Sequence, residues 1–345
     1  MSVGFAIVGA GNVAGVQVEA IRHIPEARVV VVTGRSEMTG RALAESCGAD
    51  WTSDLETAVS RSDVDIVSVC TPSGVHLEPA VVAAEAGKHL MIEKPIEITL
   101  PRVDAIIEAA ERNGSTLTCF FPSRFMLGVE KTREAVAQGR LGRLVYGDAF
   151  IKWFRPQEYY DVGWRGSWAL DGGGALMNQS IHSIDLLRWL VGPVESLFAR
   201  VTTLSHDMET EDTAAVLLSF RGGGLGVIQG STSCWPGDPA RVELRGTKGT
   251  IVLEEGRIVT WRLEGASEEE EACMLGLEEA SGSGSADPMG IGYERHRKQI
   301  VDLISALREG REPVVSGTEA RRSVEIVLAI YESARTGTPI SLRAE

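Results

Sequence analysis

Val3-Gly4-Phe5-Ala6-Ile7-Val8-Gly9-Ala10-Gly11-Asn12-Val13-Ala14 decides how the rest of the chain is read. Val3–Val8 is an apolar run of strand length, and glycines follow it at once. Gly9 permits a tight turn, and Gly11 lets a pyrophosphate approach the backbone. Ala14 is small enough for close packing of the helix on the strand. Asn12 and Val13 open that helix, whose N-terminal N–H groups and partial positive charge suit phosphates. Strand, glycine turn and helix in this order predict a dinucleotide site made by Gly9, Gly11, Asn12 and Val13.

Working outward, short β-rich runs alternate with helical patterns over the first 120 or so residues. Strands are expected at Val3–Val8, Ala27–Thr33, Ile66–Cys70, His89–Ile92 and Ser115–Phe120. Helices fall between them, at Gly40–Cys47, Leu55–Ser60, Leu77–Ala86 and Leu100–Asn113. Continuous apolar strands joined by helices build a parallel sheet covered on both faces. Residues 1–121 therefore read as an α/β, doubly wound Rossmann domain. Residues 122–345 read as an α+β domain with a large, mostly antiparallel open sheet. Its helices are expected at Leu127–Gln138, Met177–Val191, Tyr293–Glu309 and Thr318–Thr336. A strand is placed at Leu144–Trp153, and an antiparallel meander runs from Glu195 to Leu263, with hairpin turns at Gly222-Gly223-Gly224, Gly246 to Gly249 and Glu254 to Gly256. Ser281-Gly282-Ser283-Gly284-Ser285 reads as a flexible loop.

The chain has 345 residues and 43% apolar content, enough for two cores. A formal net charge of −14, with no basic block, argues against nucleic acid or an anionic membrane as partner. No run is long enough to span a bilayer. The N-terminus enters a strand too soon for a signal peptide, and the five cysteines show no paired spacing, so a cytoplasmic location is expected. Glu268 to Glu271 reads as a solvated loop.

Unusual residues gather where strands end: Gly34-Arg35-Ser36, Thr71-Pro72-Ser73 with His76, and Glu93-Lys94-Pro95. All carboxyl ends of a parallel sheet share one edge, where ligands bind. The corner Gly34-Arg35-Ser36 lacks the acid that accepts from ribose hydroxyls in NAD-preferring domains. Its glycine leaves room for a 2′-phosphate, with Arg35 and Ser36 as partners, so NADP is favoured slightly over NAD. In the second half, Gly172-Gly173-Gly174 leads into a helix on which Asn178, His182 and Asp185 form one polar stripe. Taken alone, that stripe is a His and an Asp satisfying each other. No third ligand is near, so no metal is expected. Trp153, Tyr159, Tyr160, Trp164, Arg165 and Trp168 precede the glycines in a polar-aromatic loop suited to sugars. Arg165 can alternatively pair with a carboxylate or a phosphate.

The glycine loop, Glu93-Lys94-Pro95 and the run Gly172–Asp185, in this order, resemble the Gfo/Idh/MocA oxidoreductases. Arg124-Phe125, Glu211-Asp212-Thr213, Gly230-Ser231-Thr232 and Tyr331-Glu332-Ser333-Ala334 extend the likeness along nearly the whole chain. The resemblance implies hydride transfer between NAD(P) and a carbinol or keto carbon of a sugar, polyol or sugar derivative. It implies Lys94 as active-site lysine, His182 as acid/base, and Thr71, Pro72, His76 and Glu93 lining the cofactor. Lys94 stabilises the oxyanion while His182 takes the proton, and Asn178 orients substrate, although the order of Lys94 and His182 as base stays open. Arg124, Trp153, Trp164 and Arg165 join Asn178 and His182 on the substrate side. Many relatives carry Asp where this chain has Asn178, a departure that removes a charge beside His182. The family's open sheet commonly forms the oligomer interface, so a homodimer or homotetramer is expected. Two other functions fit the fold: a redox-assisted glycosidase with tightly bound nicotinamide, and a non-catalytic nucleotide sensor.

Overall fold

The computed structural model describes residues 2–277 and 292–342. The serine-glycine run 281–285 lies outside them. Two compact units are present: Met1–Pro122 with Ile291–Val324, and Ser123–Gly290 with Glu325–Glu345.

The first unit contains β1 (Val3–Val8), α1 (Asn12–Arg22), β2 (Ala27–Thr33), α2 (Glu37–Cys47), β3 (Asp50–Thr52), α3 (Leu55–Val59), β4 (Ile66–Val69), α4 (Leu77–Glu85), β5 (His89–Ile92), α5 (Leu100–Arg112) and β6 (Leu117–Cys119). Its sheet runs β3-β2-β1-β4-β5-β6, and every pairing is parallel. The order reverses between β1 and β4, which makes the crevice beyond them the ligand edge. Strand β3 escaped the sequence reading because three residues are too few to show a period. Phe5, Ala6 and Ile7 are wholly buried at the centre.

The continuous division at residue 122 needs correction. The helix Glu294–Glu309 belongs to the first unit, where Ile300, Leu303 and Ile304 pack with Val18 and Ile21 of α1. Gln299 of the same helix completes the edge strand: its Nε2 donates to Cys119 O at 2.7 Å, and its Oε1 accepts from Phe121 N at 3.1 Å. An amphipathic stripe reveals that a helix needs a core and not which core it covers.

The second unit holds α6 (Leu127–Ala137), β7 (Leu144–Lys152), a π-helical turn (Ala175–Ser180), α7 (Ile181–Val191), β8 (Val194–Thr202), β9 (Thr213–Phe220), β10 (Leu225–Ser231), β11 (Arg241–Gly246), β12 (Gly249–Glu254), β13 (Arg257–Leu263), α8 (Glu268–Leu275) and β14 (Ile340–Ser341). The sheet order is β13-β12-β11-β7-β10-β9-β8-β14. It is not the simple meander expected, because β7 is inserted between β11 and β10 and runs parallel to β10. Helices α6 and α7 cover one face. On the other face Tyr146, Leu217 and Leu225 are about half exposed, at 47%, 53% and 45%.

The acidic run Glu268–Glu271 is the first turn of α8 and not a loop. Ser267 Oγ caps it by accepting from Glu270 N, and acids are favoured at that end of a helix. Glu270 also takes Trp261 Nε1 at 2.9 Å and pairs with Arg140. Among the described residues no helix is long and apolar enough to cross a membrane.

Candidate active site

The glycine loop has the form a pyrophosphate needs. Gly9 lies at φ +102, in the region that favours glycine, and a Cβ there would sit 2.7 Å from Cys70 O. Its N–H donates to Thr33 O at 2.8 Å. Nothing lies within 4 Å of where a Gly11 side chain would start, so that side of the loop is open. Helix α1 begins at Asn12 with no side-chain cap and no acid in its first turn. The partial positive charge of this helix end thus favours an anion. Ala14 is fully buried, as close packing requires, and Val13 is half-buried beside it. These features fit a dinucleotide. At the β2 corner Arg35 is exposed after Gly34, and Ser36 Oγ caps α2 by accepting from Thr39 N. The first acid, Glu37, turns to Arg41 at 2.8 Å.

The Lys94 turn is fixed from below. Glu93 is buried, and its Oε1 accepts from Gln17 Nε2 at 2.6 Å, while Oε2 accepts from Lys94 N at 3.2 Å. Gln17 in turn accepts from the Ser68 hydroxyl. Burial raises the Glu93 pKa against the opposing charge of Lys94. Gln17 lies on α1, so this chain of bonds joins the glycine-loop helix to the lysine turn. His76 was expected to line the cofactor. It is 1% exposed, and its Nε2 meets Thr71 O at 2.8 Å and its Nδ1 meets Pro95 O at 3.0 Å. The imidazole therefore staples the turn after β4, with Pro72, to the turn after β5, and positions Lys94 from a distance. Thr71 Oγ1 closes the first of these turns on Val75 O at 3.1 Å.

In the second unit the glycine run is drawn down onto two buried polar groups. A Cβ on Gly174 would lie 1.8 Å from Glu211 O, and one on Gly173 would lie 2.0 Å from the Tyr331 hydroxyl. The Glu211 carboxylate accepts from Leu176 N at 2.8 Å, Gly174 N at 3.1 Å and Tyr331 OH at 3.1 Å. Burial pushes its pKa up to about 7, against the pull of the Leu176 and Gly174 N–H groups. Burial and the nearby Glu211 charge raise that of Tyr331 as well.

The expected single helix Met177–Val191 is instead the π-helical turn followed by α7. The polar stripe is divided accordingly. Asn178 sits in the π turn, where its Nδ2 donates to Asp171 Oδ1 at 2.7 Å. His182 lies half-buried in the first turn of α7. Asp185 is buried, and its two oxygens accept from Arg124 at 2.7 and 2.8 Å. Arg124, expected on the substrate side, is 1% exposed and rests over Trp189 at 5.0 Å. Its guanidinium is committed to Asp185, so it braces α7. The aromatic loop does cluster: Arg155 lies over Trp153 at 5.0 Å, and Arg165 over Tyr159 at 3.9 Å and Trp164 at 5.2 Å. Asp171 and Gln17 were missed by sequence reading. Their only signals were an acid immediately before Gly172 and a polar residue on the buried side of α1.

The first unit is thus a dinucleotide-binding domain with a braced lysine at its ligand edge, the apparatus of a nucleotide-dependent enzyme. Residues 3–121 match the oxidoreductase family, NAD-binding Rossmann fold, and residues 129–252 match the GFO/IDH/MocA C-terminal domain. The chain belongs to the Gfo/Idh/MocA family of NAD-binding oxidoreductases. The WlbA dehydrogenase from Bordetella pertussis, solved in complex with NADH and UDP-GlcNAcA, is similar with a TM-score of 0.89 and 30% identity, covering 100% of both chains. The myo-inositol 2-dehydrogenase of Thermotoga maritima is 26% identical over 342 residues, 95% of each chain. The 2,7-anhydro-N-acetylneuraminate hydratase of Mediterraneibacter gnavus is 27% identical over 259 residues, 73% of this chain and 67% of that one.

Glu211 generates a pH test. Its folded pKa of about 7 stands above the ordinary 4.5, so its contribution to stability is present below pH 4.5 and lost as pH rises through 7. Glu211→Gln stays neutral throughout. The variant should gain on wild type by about 3 kcal/mol between pH 4.5 and pH 8. Melting curves at both ends of that range measure it, and a gap independent of pH would refute the assignment.

Proposed function

We propose that the chain is a nicotinamide-dependent dehydrogenase acting on a carbinol or keto carbon of a sugar-like substrate. The observation that carries this reading is the Ser68–Gln17–Glu93 chain of hydrogen bonds, which fastens the helix behind the glycine loop to the Lys94 turn. A nucleotide cradle and an ammonium group are held together at one sheet edge. A nicotinamide dinucleotide, held at the Gly9–Val13 loop, would supply hydride chemistry at the carbinol carbon. Lys94 stabilises negative charge on the substrate oxygen, and His182 accepts or returns its proton. Asn178, steadied by Asp171, orients the substrate. The inositol dehydrogenase and the WlbA complex with UDP-GlcNAcA support a sugar or polyol, free or UDP-linked, as the substrate class. A second reading is transient oxidation with no net change in cofactor, supported by a relative named a hydratase. Mass spectrometry of products beside nicotinamide absorbance, over sugars, inositols and UDP-linked sugars, separates the two.

The half-exposed apolar face of the second sheet supports self-association as a homodimer or homotetramer. Placing a charge there by Leu217→Glu should shift the species seen by light scattering toward monomer. A monomeric wild type would end this reading.

Lys94→Met should leave NADH affinity within a few-fold of wild type and lower kcat by about a thousandfold or more. Binding titration and steady-state rates check the two halves. A variant keeping a tenth of wild-type turnover with chemistry rate-limiting would remove the oxyanion role.

For cofactor choice, the absence of an acid at Gly34-Arg35-Ser36 favours NADP(H), although the WlbA structure holds NADH. The expected outcome is a kcat/KM ratio above one for NADP(H) over NAD(H), falling about tenfold in Arg35→Ala. A wild-type ratio below one would assign the corner to NAD(H).

A further inference from the structure

Resting on the reading of a sugar-like substrate, we infer that the Arg165 guanidinium, stacked on Tyr159, binds an oxyanion group of that substrate, a carboxylate or a phosphate.

Several other half-buried arginines meet acids. Arg61 takes Asp50 and Asp63, Arg102 takes Glu78 and Glu97, and Arg140 takes Glu270. Arg165 is also half-buried, yet among the described residues it makes one long hydrogen bond, from Nη1 to Tyr159 O at 3.3 Å. Its Nε is buried with no partner. A guanidinium has five N–H donors and cannot shed its charge, so removing it from water with one weak bond is costly. The cost is offset when a ligand supplies acceptors. Asp171, one acid of this region, has Oδ1 on Asn178 and Oδ2 on Gly166 N.

The aromatic ring explains how the cation is held ready. Arg165 Cζ lies 3.9 Å from the centre of the Tyr159 ring, close enough for stacking, which fixes the plane of the guanidinium. Arg155, 3% exposed and 5.5 Å from the same ring, adds a second positive charge. The ring is tied to the catalytic turn, since Tyr159 OH accepts from Gln179 Nε2 at 3.1 Å and Gln179 adjoins Asn178. The cationic group is therefore built beside the residues proposed to orient the substrate. Neutral hydroxyls cannot match the charge-assisted bonds available to an oxyanion there.

The test uses the full chain with matched probes: glucose as the neutral sugar, with glucuronate and glucose 6-phosphate as its acidic counterparts. Turnover is read by nicotinamide absorbance, and binding by quenching of tryptophan fluorescence, which needs no turnover. An acidic member of a pair should be preferred over its neutral partner at least tenfold. Glucuronate against glucose 6-phosphate tells a carboxylate from a phosphate. Arg165→Gln should lower the preference at least tenfold, mainly through KM, and Arg165→Lys should recover part of it. The inference is overturned if neutral and acidic members bind equally, if no acidic member binds, or if Arg165→Gln weakens both alike. Arg165-dependent binding of an acidic sugar without any turnover would instead overturn the dehydrogenase reading and leave this one standing.

Discussion

The hydrogen bond from Gln17 to Glu93 is the constraint on which the first unit's chemistry depends. A carboxylate is expensive to bury, and Glu93 is tolerated because an amide from α1 and the N–H of Lys94 both point at it. The result is geometric. The helix that presents its N-terminus to phosphates and the strand end that presents the lysine cannot shift independently. His76 adds a second tie between strand ends, from Thr71 to Pro95.

The second unit repeats the device with different parts. Glu211 is the buried carboxylate, and the loop it fastens is Gly172-Gly173-Gly174. Here the glycines are demanded by sterics: a Cβ on Gly174 would collide with Glu211 O, and one on Gly173 with Tyr331 OH. After the loop, the turn Ala175–Ser180 takes the wider, less tightly wound π form before α7 begins. π turns of this kind are frequent at functional sites because they re-aim the side chains around them. The buried Arg124–Asp185 pair then holds α7. Such pairs contribute little net stability but are destabilising to break, by about 3–5 kcal/mol, which makes them better at fixing a position than at strengthening a fold.

Much of this was legible in the sequence, and what was not has identifiable causes. The glycine turn after Val3–Val8 is read from local chemistry, and so are the strand-end motifs, because each needs particular residues at particular spacings. Partner choice is different. Nothing local says that Glu294–Glu309 packs on α1, that β7 enters between β10 and β11, or that Arg124 faces Asp185 across 61 residues of chain. Regular 3.6-residue spacing also hid the π turn, since Asn178, His182 and Asp185 fit an unbroken helix equally well on paper. Glu268–Glu271 looked solvated because four acids in a row share no apolar face. Helix α8 forms there through the Ser267 cap and the Arg140 and Trp261 contacts to Glu270.

The departure at Asn178 has a physical reading once Asp171 is in view. A carboxylate only accepts hydrogen bonds, so the Asn178 amide must turn its NH2 toward Asp171, 2.7 Å away, and keep its carbonyl for another donor. The pair carries one negative charge. An aspartate at 178 in the same place would bring two carboxylates within 2.7 Å of each other, an arrangement that like charges disfavour unless one is protonated. The amide therefore substitutes for a protonated acid: it supplies the donor that Asp171 requires and fixes where the charge resides, on Asp171 and not on the residue one helical turn before His182.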